Sequence, residues 1–224
     1  MNLEEKIKAG KFPILVSLPK NDIELAKAAL KGGADGVKIH LNAFHRASGN
    51  RFGSFSEELP FLMKFAELDC AKLVMIGQEQ IPTDSELEQL RMMGFEGFNL
   101  YLRHCKPYLF RAGVRPILAL EHDYGRNDFD AIREVKNAWV EASIVPGEKY
   151  GTPLDAGDLE AYQTISRRLK KPVIVPSQKK IATTDLPKLI DAGVSALLIG
   201  VIVTGSTAES ITQTIRTFQD AKSS

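Results

Sequence analysis

Cysteine is almost missing, with Cys70 and Cys105 standing alone among 224 residues. They have no metal-ligand spacing and no secretory context, so they are expected as reduced packing thiols rather than a disulfide framework. Charge of one sign is lacking as well. Against 28 Asp and Glu stand 29 Lys and Arg, a formal net charge of +1, which offers no basic field for a nucleic acid backbone and no acidic tail for a basic partner. No long hydrophobic run occurs. The longest apolar stretch, near Ala196 to Val203, is far below membrane-spanning length, and Met1 to Lys8 has no apolar signal core. The expectation is a cytoplasmic protein without nucleic acid or membrane partners. His40, His45, His104 and His122 show no His-Glu-x-x-His spacing, so no metal is expected, with Glu121-His122-Asp123 the place where a divalent ion stays open. A Gly-x-Ser-x-Gly elbow and a Walker loop are absent, which argues against a common serine hydrolase or a P-loop nucleotidase. No cofactor is implied.

What the chain does have is alternation. Apolar, β-rich segments fall at Pro13 to Leu18, Gly36 to Leu41, Lys72 to Gly77, Gly97 to Leu102, Arg115 to Glu121, Ala138 to Val145, Pro172 to Ser177 and Ala196 to Val201. Helical stretches separate them: Asp22 to Leu30, Glu57 to Leu68, Ser85 to Met92, Asp128 to Lys136, Asp158 to Leu169, Asp185 to Ile190 and Glu209 to Ala221. The fourth helix, around His104 to Phe110, is the weakest because Pro107 interrupts it. A helix-Gly-strand junction recurs at Gly33, Gly94 and Gly193, and again in Ala112-Gly113-Val114. Glycine there can take a left-handed conformation and turn the chain into the next strand. Eight such units without a linker predict one α/β domain spanning 1–224, a (β/α)8 TIM barrel. A doubly wound open sheet is the alternative, and the missing Gly-x-Gly-x-x-Gly turn after the first strand disfavours it.

In that fold, chemistry sits at the C-terminal strand ends. Period-two alternation turns Val37 and Ile39 toward the helices and Lys38 and His40 inward. Glu121 ends the fifth strand, and Glu141 shares a face with Ser143 in the sixth. Lys38, Glu121 and Glu141 are therefore expected to converge at the barrel mouth, since charges in apolar strands need partners. Catalytic candidates are Lys38, as acid/base or Schiff-base nucleophile, with Glu141 or Glu121 as general base and His40 as a further contact. Asn99 and Tyr101, on one face of the fourth strand, are candidates for positioning substrate. The long second loop, 42–55, adds Arg46 and Arg51, which suit a carboxylate or a second phosphate. Two loops near the C-terminus carry Ser177, Lys179, Lys180, Gly200 and Gly205, a combination that suits phosphate.

The run Leu198-Ile199-Gly200-Val201-Ile202-Val203-Thr204-Gly205, followed by Glu209-Ser210-Ile211-Thr212 and Phe218, resembles the end of phosphate-binding TIM barrels of the ribulose-phosphate-binding superfamily. Within that group it is most similar to N-acetylmannosamine-6-phosphate 2-epimerases, over about the last fifty residues. The resemblance implies a phosphate site and chemistry on a sugar phosphate. Two departures stand out. The family's third strand ends in a catalytic lysine where this chain has Met75-Ile76-Gly77-Gln78, and its acidic-glycine loop after strand seven is here Pro176-Ser177-Gln178-Lys179-Lys180. The resulting expectation is an isomerase, epimerase or carbon–carbon lyase acting on a small phosphorylated metabolite. Its alternative is a barrel that keeps the anion site without catalysis, as a metabolite-binding or regulatory protein. A homo-oligomer is compatible with a barrel of this size.

Overall fold

Strand register in this chain is set by which side chains escape water. The structure, a computed structural model, describes residues 1–111 and 113–223; Ala112, at the start of one glycine junction, lies outside the described residues. In chain order the elements begin with α1 (Leu3–Lys8), β1 (Ile14–Ser17), α2 (Ile23–Lys31), β2 (Gly36–His40) and a small hairpin, β3 (Ala43–His45) with β4 (Asn50–Phe52). Then follow α3 (Phe55–Ala66), β5 (Ala71–Met75), α4 (Asp84–Met92), β6 (Phe95–Tyr101), β7 (Arg115–Leu120), α5 (Arg126–Glu134) and β8 (Trp139–Ala142). The last part holds α6 (Ala156–Leu169), β9 (Val173–Pro176), α7 (Leu186–Asp191), β10 (Ala196–Ile199), the short α8 (Val201–Thr204) and α9 (Ala208–Ser223). Eight strands close in the order β1-β10-β9-β8-β7-β6-β5-β2, all neighbours parallel, and β3-β4 forms a separate antiparallel pair. This is the (β/α)8 barrel that the alternation predicts.

Two apolar layers follow from period two. Leu15, Leu73, Ile117, Trp139, Ile174, Ala196 and Leu198 fill the barrel interior, and Leu3 of α1 joins them. Val16, Val37, Ile39, Val74, Phe98, Leu118, Val140, Val175 and Ile199 face outward into the helix layer. Each such side chain is worth about 1.5–3 kcal/mol when buried. A one-residue slip would reverse every face, so this apolar register fixes Lys38, Asn99 and Glu141 as inward-pointing. Gly33, Gly94 and Gly193 have φ of +94°, +84° and +80°, which is the left-handed turn expected of these junctions.

Local departures have local causes. Around Pro107 two 3-10 turns, Leu102–His104 and Pro107–Arg111, replace the expected fourth helix, since proline removes a helix donor and clashes with the preceding turn. The helix expected from Glu57 begins earlier, at Phe55, because Ser54 caps it in a reciprocal box with Glu57. Residues 42–55, expected as a loop, contain the β3-β4 hairpin. Asn50 Nδ2 ties it to the Pro19 carbonyl at 2.9 Å.

Candidate active site at the mouth of the barrel

The C-terminal strand ends surround a cavity of about 350 Å³. Its floor is an ion pair. Lys38 Nζ donates to Glu141 Oε2 at 2.7 Å and to Asn99 Oδ1 at 3.2 Å. Asn99 Nδ2 in turn donates to the Ile117 carbonyl at 3.0 Å, and Ser143 Oγ donates to Glu141 Oε1 at 3.0 Å. Lys38 and Glu141 are only 4% and 5% exposed. They come from β2 and β8, four places apart in a ring of eight strands, so the pair spans the barrel. Tyr101 lines the same cavity, and burial, with the Glu141 charge beside it, pushes its phenol up to about 12. It therefore stays a hydrogen-bond donor.

Two imidazoles lie side by side, His40 at the end of β2 and His45 at the end of β3. Burial, then the neighbouring His45 and Lys38, hold His40 well below the usual histidine range, and burial with Lys38 brings His45 down to about 4. Their rings lie 4.7 Å apart, with Phe52 4.6 Å from His40. His40 Nε2 is 3.5 Å from Ser17 Oγ, while its buried Nδ1 has no hydrogen-bond partner. His45 Nδ1 meets Ser48 Oγ at 2.8 Å.

At the ends of β9 and β10, Ser177 Oγ accepts the Gly200 N–H at 2.7 Å. Val201 and Ile202 line the cavity as the first residues of α8, and N–H groups at that position lack intrahelical acceptors. Three residues expected here lie elsewhere. Lys179 turns away and donates to Thr152 Oγ1, the Pro153 carbonyl and Asp155 Oδ2 at 3.0, 3.3 and 3.2 Å, and it pairs with Asp158 at 2.9 Å. Two carboxylates at the start of α6 hold this cation away from the cavity. Lys180 is exposed, its backbone bonded to Thr152. Gly205 ends α8 with φ +69° and is not on the cavity wall.

Around the rim, Glu121 pairs with Arg103 rather than with Lys38, so the expected three-way convergence reduces to Lys38 and Glu141. Arg46 reaches the cavity; Arg51 instead lies over the Phe44 ring, 5.6 Å from its centre. Gln178 Nε2 donates to Tyr150 Oη at 2.6 Å, and Gln178 Oε1 accepts the Val145 N–H at 3.1 Å. Ser17, His45, Arg103 and Tyr150 also line the cavity, beyond the residues expected there from the sequence. Ser17 ends β1, so the same strand-end rule finds it. Tyr150 lies nine residues beyond Glu141 in an irregular loop, where no periodicity points inward. Among the described residues, no three His, Cys, Asp or Glu side chains gather to hold a metal, and no helix is long and apolar enough to cross a membrane.

No protein-family model matches the chain, and no curated protein sequence matches it. Solved structures do. KGPDC from Streptococcus mutans superposes with a TM-score of 0.69 at 11% identity, covering 95% of this chain and 97% of the other. The tryptophan synthase α-subunit of Pyrococcus furiosus gives 0.67 at 10% identity, covering 94% and 98%. Phosphoribosyl anthranilate isomerase from Thermus thermophilus gives 0.62 at 13% identity, covering 95% and 98%. At such identities the likeness is one of fold: the chain is a closed TIM barrel, an architecture it shares with enzymes of several activities.

Proposed function

We propose that the protein is an enzyme of the ribulose-phosphate-binding kind that moves a proton on a small phosphorylated metabolite, in an isomerisation, epimerisation or carbon–carbon lyase reaction. The observation that carries this reading is the Lys38–Glu141 pair, two opposite charges held 2.7 Å apart on the cavity floor. The third barrel strand ends in Met75, where the resembled epimerases have lysine, yet Lys38 of the adjoining β2 projects into the same interior. Names among the similar folds, such as phosphoribosyl anthranilate isomerase and thiamine phosphate pyrophosphorylase, support a phosphorylated ligand. Its phosphate would lie against Ser177, Gly200 and the backbone of Val201 and Ile202.

With the phosphate fixed there, a carbonyl oxygen nearer the floor would face Lys38 and Tyr101. Both donate hydrogen bonds to an oxygen on which negative charge collects as Glu141 takes the proton from the neighbouring carbon. Ser143 orients Glu141 for that step. An ammonium engaged in an ion pair supports the acid role for Lys38 over the Schiff-base role, which needs a free amine.

The test is hydrogen exchange in deuterated water across phosphorylated aldehydes and ketones, followed by NMR. Wild type is expected to exchange the proton beside the carbonyl of at least one of them. Glu141→Gln, which keeps the contacts to Lys38 and Ser143, should lose that exchange by about 10²–10⁴-fold while holding ligand affinity within about threefold. Undiminished exchange in Glu141→Gln would overturn the assignment. Phosphate-selective binding with no exchange on any compound would leave a metabolite-binding barrel.

A further inference from the structure

Charge on the cavity wall is nearly balanced within the wall itself. Lys38 meets Glu141, and Arg103 meets Glu121. Arg46, on the same wall, has no ion-pair partner among the described residues. It follows β2, yet its guanidinium lies against Gly147, in the turn after β8: a Cβ on Gly147 would collide with Arg46 Nη1. Arg46 thus repeats, nearer the mouth, the crossing that Lys38 makes at the floor. Tyr150 lines the wall beside this turn. Its oxygen accepts from Gln178 at 2.6 Å, which leaves its own proton for a ligand, and burial pushes the phenol up so that the proton is kept.

We infer that the substrate is a phosphorylated carboxylic acid whose carboxylate is held by Arg46 and Tyr150 at the end remote from its phosphate. This rests on the phosphate reading above. Gly200 follows β10, two strands from β8, so the two ends are separated by about 10 Å of barrel wall. One planar guanidinium with one adjacent hydroxyl suits the two oxygens of a carboxylate, and supplies the single charge that a carboxylate needs.

Calorimetry with two ligand pairs tests it: 3-phosphoglycerate against glycerol 3-phosphate, and 6-phosphogluconate against glucitol 6-phosphate. Members of a pair differ only in a carboxylate or a hydroxymethyl group. Wild type is expected to favour the acid at least tenfold in one pair. Arg46→Gln should erase that preference and leave the alcohol's affinity within threefold. Gly147→Ala, which keeps the arginine but displaces it, should act in the same direction, with thermal melting reporting that both variants fold. Equal affinity within both pairs would overturn the inference and leave the phosphate reading standing. Equal weakening of both members by Arg46→Gln would assign Arg46 to the phosphate and overturn it too. No binding by any of the four to folded protein would take down both readings.

Discussion

Two lysines are almost fully buried at the mouth of this barrel, and their acceptors tell them apart. An ammonium has three protons to donate. Lys179 faces four oxygen-bearing partners, Thr152, Pro153, Asp155 and Asp158, so nothing is spare and its role is to tie the loop after β9 to α6. Lys38 has two, Glu141 and Asn99, which leaves one proton for a ligand. The imidazoles beside Lys38 make a prediction of their own. His40 and His45 are held below their ordinary value of 6.5 in the folded protein, His45 at about 4. Below pH 6.5 the unfolded chain takes protons on both rings and the folded chain does not, so stability is lost as pH falls from 6.5 toward 4. The loss reaches about 3 kcal/mol for His45. Urea midpoints between pH 7.5 and 4.5 should fall accordingly, and His45→Gln should flatten the curve. An unchanged slope in that variant would mean that His45 protonates freely in the fold.

At the scale of elements, the junction of β10 and α8 decides whether an anion can approach the backbone. Gly200 has φ −118°, a conformation open to any residue, and a Cβ there would meet Ser17 Cβ and Ser177 Oγ at an ordinary 3.8 Å. Gly200→Ala should therefore melt within a degree or two of wild type. Its methyl group intrudes on the end assigned to phosphate, so affinity for glycerol 3-phosphate should drop about tenfold, roughly 1.4 kcal/mol. Unchanged affinity would move the phosphate elsewhere in the cavity. The same elements show what is legible in the sequence. Strict alternation in Gly36-Val37-Lys38-Ile39-His40 and in Val140-Glu141-Ala142-Ser143 is enough to turn Lys38, His40 and Glu141 inward, because apolar neighbours on both sides leave one register with a buried outer face. Nothing comparable marks β3 and β4, three residues each, too short for a period to register. Lys179 misleads for another reason: its partners lie more than twenty residues upstream, and no local pattern reveals a pairing made by tertiary structure. Glu121 sits at a strand end as expected, yet Arg103, from the turn after β6, reaches it first.

For the molecule as a whole, closure is what brings the site into being. The walls of the cavity draw on all eight barrel strands or the turns that follow them, with the β3-β4 hairpin added after β2, and the Lys38–Glu141 pair joins opposite strands 103 residues apart in sequence. Below them, the apolar interior supplies the stability that tolerates two buried charges, a pair that costs about 3–5 kcal/mol when one partner is removed. A ligand that touches several of these strands binds the closed barrel and not the unfolded chain. Binding must then stabilise the whole fold by mass action, by about 2.7 kcal/mol at one hundred times the dissociation constant. For a chain of this size that raises the melting temperature by about 5–10 °C. Glycerol 3-phosphate should produce such a shift, free phosphate a smaller one, and glycerol none at the same concentration. Equal shifts from glycerol and its phosphate would show that the anion adds nothing, and that the cavity recognises its ligand through the polar floor alone.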